Sequence, residues 1–94
     1  MKLSLDQSVS KKMANALRQN HTVINHAVNS ESDASWVSYG FLNGAEVFVT
    51  SDRGVQQMIE ILRIIEREKY GHIQYVKATQ NLMHDLKLLH NKGE

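Results

Sequence analysis

The sequence has no cysteine, no proline, five glycines and only 6% aromatic residues. Without cysteine there is neither a disulfide nor a thiolate zinc site, and a reducing compartment is permitted. The lack of proline has no evident physical cause. No apolar stretch approaches the ~20 residues of a membrane span. The segment Met1-Lys2-Leu3-Ser4-Leu5-Asp6 lacks the apolar centre of a secretion signal, so a cytoplasmic protein is expected. Gly40, Gly44 and Gly54 do not form a phosphate-cradling loop. The net charge of +1 leaves no bulk attraction to nucleic acid or membrane, so any such affinity needs a local patch. The histidines are scattered and His84 and His90 are not one turn apart. A zinc site, which needs three or four convergent ligands, is not expected. No Ser-His-Asp nucleophile arrangement is legible in the order of residues.

What is present is one small domain. Ninety-four residues, 41% hydrophobic and 22% charged, suit a single globular unit with a modest core. The most informative stretch is Ala45 to Gly54. Val47-Phe48-Val49 is a short apolar run followed at once by Thr50-Ser51-Asp52-Arg53-Gly54, which reads as a strand buried on both faces and ended by polar residues. Thr50 and Asp52 then stand just past its carboxyl end, where ligands bind in open α/β sheets.

The rest of the chain alternates in kind. Lys2 to Leu5 is a strand. Ser8 or Ser10 caps a helix using Val9, Met13, Ala16 and Leu17, which Asn20 stops. His21 to His26 holds a second strand, and Asn29 to Asp33 is a polar loop. Trp36, Val37, Gly40 and Phe41 mark a second helix ended by Asn43-Gly44; Trp36 is read as core or interface. From Gly54, a third helix carries Val55, Met58, Ile59, Leu62 and Ile65, widened by Ile61 and Ile64, and breaks at Tyr70-Gly71 after a solvated end. His72 to Val76 is a fourth strand. Thr79 caps a last helix using Leu82, Met83, Leu86 and Leu89, which frays from His90. The expected fold is α/β: one three-layer domain over residues 1–94, with a mostly parallel four-stranded sheet in β-α-β-α-β-α-β-α order. Leu5, Ile24, Val49 and Val76 should lie near the carboxyl edge. Leu3, Leu17, Val23, Val47, Val49, Ile59, Leu62, Ile73 and Leu86 should form the core.

In such a sheet the points after each strand share one edge. Asp6, Asp33 and Asp52, with Glu31 as a loop neighbour, would repel one another there unless a cation intervened. Mg²⁺ or Mn²⁺ is the natural choice for oxygen ligands, and metal-assisted phosphodiester hydrolysis becomes possible.

The ordered set Leu3-Ser4-Leu5-Asp6, Ala16-Leu17-Arg18, His21-Thr22-Val23-Ile24, Ser32-Asp33 and Val47-Phe48-Val49-Thr50-Ser51-Asp52 resembles the small PIN-like domains. These are ribonuclease-fold proteins often found as toxins of toxin–antitoxin pairs. The resemblance covers roughly the first sixty residues. It implies metal-dependent RNA cleavage, with Asp6, Asp33 and Asp52 at the metal and Thr50 as a supporting hydroxyl. Gln7 stands where these proteins carry an acid, Asn20 where a glycine is common, and no fifth strand is evident.

Each candidate also has a local alternative. Asp33 can cap the second helix, Asp52 can open the third and favour its dipole, and Asp6 can cap the first. Lys11, Lys12 and Arg53 lie close to the acidic edge, where they can hold RNA phosphates or simply face solvent. The third helix is apolar over a wider arc than one sheet face needs, which fits either extra core or a partner, an antitoxin or a second copy. A catalytically silent interaction protein using that helix is therefore the alternative to the nuclease. A third reading is a receiver-like domain, in which Lys77 follows the fourth strand but Gln7 interrupts the acidic pair.

Overall fold

The structure, a computed structural model, describes residues 1–92. Four strands, β1 (Lys2–Leu5), β2 (Thr22–His26), β3 (Val47–Val49) and β4 (Gln74–Val76), form one sheet in the order β2-β1-β3-β4. All three pairings are parallel. The helices are α1 (Lys11–Leu17), α2 (Asp33–Leu42), α3 (Arg53–Ile65), a single turn α4 (Arg67–Tyr70) and α5 (Leu82–Lys92). The alternating α/β order and the parallel four-stranded sheet are as expected. No helix among the described residues is long and apolar enough to cross a membrane.

The strand sequences explain the layering. Side chains alternate between the faces of a sheet. Leu3 and Leu5 of β1 pair in register with Val47 and Val49 of β3, and all four join one apolar cluster with Val9, Ala14 and Leu17 around α1 and Leu82 and Leu86 of α5. Phe48 points the other way, into a second cluster with Trp36, Val37 and Phe41 of α2, Val55 and Ile59 of α3, and Ile73. Helices α1 and α5 thus cover one face, and α2 and α3 the other. Right-handed crossovers require this distribution when the chain moves outward from β1 to β2 and then back past β1 to β3.

The expected core holds at Leu3, Leu17, Val47, Val49, Ile59, Ile73 and Leu86, all buried. Val23 and Leu62 are only partly buried, Val23 because β2 is an edge strand. Ile24 is not at the carboxyl edge. The β1–β2 register passes from Leu3↔Val23 to Ser4↔Asn25, so Ile24 is the extra residue of a bulge and His26 reaches the edge opposite Leu5.

Helix boundaries shift for local reasons. Ser10 caps α1, its hydroxyl accepting from Met13 N at 3.0 Å. The helix ends on bonds from Asn20 N and His21 N to Leu17 O, not on a left-handed Asn20, because no residue other than glycine has positive φ among the described residues. Gly44, at φ +81°, does supply that conformation after α2. Helix α3 begins at Arg53 and breaks at Glu66. The added turn α4 delivers Tyr70 edge-on to Phe41, with ring centroids 4.7 Å apart. Helix α5 begins at Leu82, not at Thr79, whose hydroxyl accepts from Asn81 N. It continues to Lys92; Gly93 and Glu94 lie outside the described residues.

Helix α2 sits close on the sheet because Gly40 has no side chain. A Cβ there would lie 2.6 Å from Phe48 Cε1 and 3.0 Å from Ser4 Oγ. The Ser4 hydroxyl is buried without a partner. Gly40→Ala should therefore lose about 1–3 kcal/mol by overpacking, read as a lower urea midpoint with unchanged slope. Ser4→Ala should be neutral or stabilising, because it removes an unpaired polar group.

Candidate functional site

The carboxyl edge has a defined centre. From β1 the chain leaves toward β2, and from β3 toward β4, so the connections diverge between β1 and β3. Ligands bind at such switch points in open α/β sheets. Asp6 and Thr50 are the first residues past these two strands. The ladder carries them into place: Asp6 N donates to Val49 O at 2.9 Å, and Thr50 N to Val76 O at 2.9 Å.

One hydroxyl organises this point. Thr50 Oγ1 donates to Asp6 Oδ2 at 2.5 Å and accepts from Asp52 N at 3.1 Å. Asp6 Oδ1 accepts from Ser8 N at 3.2 Å, and the Thr50 carbonyl accepts from Gln56 Nε2 at 3.0 Å. Asp6 is 7% exposed and Thr50 fully buried. A carboxylate this enclosed requires donors, and Thr50 and Ser8 provide them. The next residue, Ser51, accepts from Ala78 N at 3.1 Å, which ties the loop after β3 to the loop after β4.

The other two aspartates are engaged locally. Asp52 is the N-cap of α3, its Oδ1 accepting from Val55 N at 3.1 Å. Its backbone N–H, not its carboxylate, is what Thr50 joins to Asp6. Asp33 is the first residue of α2, whose cap is Ser32. Its Oδ1 accepts from Trp36 Nε1 at 3.2 Å. Among the described residues no three His, Cys, Asp or Glu side chains are grouped so that they could hold a metal ion. The convergence expected of Asp6, Asp33 and Asp52 is thus not seen: each carboxylate already serves a nearby donor. Glu31, in the loop before α2, is half-buried.

Lys11, Lys12 and Arg53 are exposed at the amino ends of α1 and α3, on the same edge. Two shallow clefts open there. One, of about 350 Å³, has Lys11, His26 and Asn29 in its wall; the other, of about 260 Å³, has Ser8, Ser10 and Thr79. Neither is lined by Asp6, Thr50 or Asp52. His26 donates through Nε2–H to Val9 O, 2.7 Å away, since a carbonyl oxygen only accepts. Gln56 and Ser8 were not foreseen as supports. Ser8 acts through its backbone, which no side-chain pattern reveals.

If Thr50 holds Asp6 in this way, Thr50→Val should cost about 1–3 kcal/mol, since it leaves a buried carboxylate oxygen without its donor. Asp52→Asn should keep the cap and the stability within a few tenths of that scale, whereas Asp52→Ala should lose about 0.5–2 kcal/mol. Urea unfolding monitored by circular dichroism distinguishes the three. Compared with known proteins, the chain matches no family model, no curated protein and no solved structure.

Proposed function

We propose that this chain is a protein-interaction module that presents α3 to a partner. The observation that carries the reading is the exposure of Ile61, Ile64 and Ile65, at 55%, 68% and 70%. They lie at i, i+3 and i+4, hence on one flank of the helix. The contact of α3 with the sheet layer is already met by Val55 and Ile59, which are buried, and by Met58 and Leu62, which are partly buried. The three isoleucines are additional to that face. On α2, in the same layer, Leu42 and Tyr39 are 77% and 49% exposed. Fully burying one such side chain is worth ~1.5–3 kcal/mol, and contiguous apolar surface of this kind marks interaction sites. The aspartates support the same reading, because each already accepts a hydrogen bond from within the fold.

The Ile61→Ser/Ile64→Ser double variant should unfold at the wild-type urea midpoint, within experimental error, and lose association measured by sedimentation. A lowered midpoint would assign both residues to the core and remove the reading.

A second reading, Mg²⁺- or Mn²⁺-dependent RNA cleavage of the PIN-like kind, as in a toxin, is favoured by one feature, the Thr50 hydroxyl that links Asp6 to Asp52 at the switch point. A three-aspartate set is not supported, since no three such side chains are grouped among the described residues. Asp6 and Asp52 would be the ligands, Thr50 would orient Asp6, and Lys11, Lys12 and Arg53 would meet phosphates. The metal would supply an activated water and offset charge on phosphate. On this reading purified protein cleaves RNA with either ion present and Asp6→Asn does not. Intact RNA with the wild-type protein removes it.

A further inference from the structure

The bulge in β2 leaves two buried polar groups unpaired and turns one histidine around. Val23 packs with the cluster under α1 and α5, and Ile24 with the cluster under α2 and α3. Regular alternation would send Asn25 toward α1 and His26 toward α2. The shift in register reverses both. Asn25 pairs with Ser4, whose hydroxyl lies beneath α2 at Gly40, and His26 pairs with Leu5 of the α1 cluster. Asn25 Nδ2 and Ser4 Oγ are then buried without partners among the described residues, which is destabilising. Bulges recur beside functional sites, where they re-aim a side chain. Here that side chain is His26.

His26 is turned into a cleft of about 350 Å³ between the loops that follow β1 and β2. Its wall is built in advance. Ala27 N donates to Leu5 O at 2.8 Å, Val9 N to Asp6 O at 3.1 Å, and His26 Nε2 to Val9 O at 2.7 Å. With Nε2–H so used, Nδ1 is the acceptor of the neutral ring, and it has no partner among the described residues. Val9 and Ala27 are buried and lie at the bottom of the cleft, while Gln7, Lys11, Val28 and Asn29 are exposed around it. No acid lines it among the described residues.

We infer that this cleft binds a small phosphate ester bearing hydroxyl groups, either a sugar phosphate or a nucleotide. Lys11 supplies the point charge for the phosphate. His26 Nδ1 accepts from a ligand hydroxyl, and the amides of Gln7 and Asn29 donate to or accept from the others. Val28, 59% exposed, offers an apolar surface to the ring. The volume suits one small molecule, and the carboxyl edge of a parallel sheet is where such ligands bind. The cleft shares no residue with the isoleucine flank of α3, so the inference stands apart from the interaction reading.

Titration of the isotope-labelled full chain, followed by amide and imidazole nuclear magnetic resonance shifts, tests it. The probes are ribose-5-phosphate, adenosine monophosphate, inorganic phosphate and ribose, each raised to about 10 mM. At least one ester should shift the amides of Lys11, Ala27 and Asn29 and the Nδ1 resonance of His26, with a Kd below about 1 mM. Inorganic phosphate and ribose should each bind at least about tenfold more weakly than that ester, since each keeps only part of the contacts. Tighter binding of adenosine monophosphate than of ribose-5-phosphate identifies a nucleotide, and the reverse or equality identifies a sugar phosphate. Lys11→Ala and Asn29→Ala, at exposed positions, should weaken the ester by at least about fivefold with an unchanged Tm. Lys87→Ala, in a separate cleft beside Asn20 and His21, should bind as the wild type does. No shift with either ester, shifts centred away from His26 and Lys11, inorganic phosphate bound as tightly as the esters, or Lys11→Ala binding like the wild type overturns the inference.

Discussion

Strands β1 and β3 have no face left for water. Leu3, Leu5, Val47, Val49 and Phe48 are buried, and the constraint that both sides of these strands be covered dictates the rest of the architecture. Helices are needed on each face, so each parallel connection must carry one. The two apolar clusters are the result, separated by the sheet and supplied alternately by successive strand residues. Close approach sharpens the demand. Only a glycine at position 40 lets α2 come down on Phe48, and the rings of Trp36 and Phe41 then pack around Phe48 at centroid distances of 5.9 and 5.0 Å.

The same constraint places polar residues at the carboxyl edge and then gives them structural work. The strands end where cover ends, so Asp6 and Thr50 fall at the boundary between core and solvent. A buried carboxylate is tolerable only with donors, and a threonine on the neighbouring strand is well placed to give one. That bond also fixes the start of α3, because the same hydroxyl receives Asp52 N. Acidic residues after strands are thus ambiguous as functional signs: the positions that suit a ligand also suit a cap.

Helix α3 shows the complementary case. Its apolar residues span more of the helix circumference than one sheet face can cover, and among the described residues no other element covers Ile61, Ile64 and Ile65, which are exposed. A fold of this size has too few elements to cover every apolar flank. Surface of this kind is where association can add stabilisation that folding alone does not capture.

Much of this was legible in the sequence because it is local. The β-branched run Val47-Phe48-Val49, the spacing of Val55, Ile59 and Leu62, the turn at Asn43-Gly44 and the serine and aspartate caps each act over a few residues, and together they determined the α/β class and the element order. Partnerships over long separations were not legible. Asp6 and Thr50 are 44 positions apart, and whether a carboxylate meets a hydroxyl, a metal or an indole depends on which strands become neighbours. The bulge at Ile24 and the turn that brings Tyr70 to Phe41 likewise answer to packing against distant residues. The sequence by itself determined which segments are helices and strands and which faces are apolar, because periodicity and capping are short-range. Only the tertiary structure decided the strand order, the roles of the aspartates and which isoleucines remain in water, because these depend on hydrogen bonds and cover supplied by residues far away in the chain.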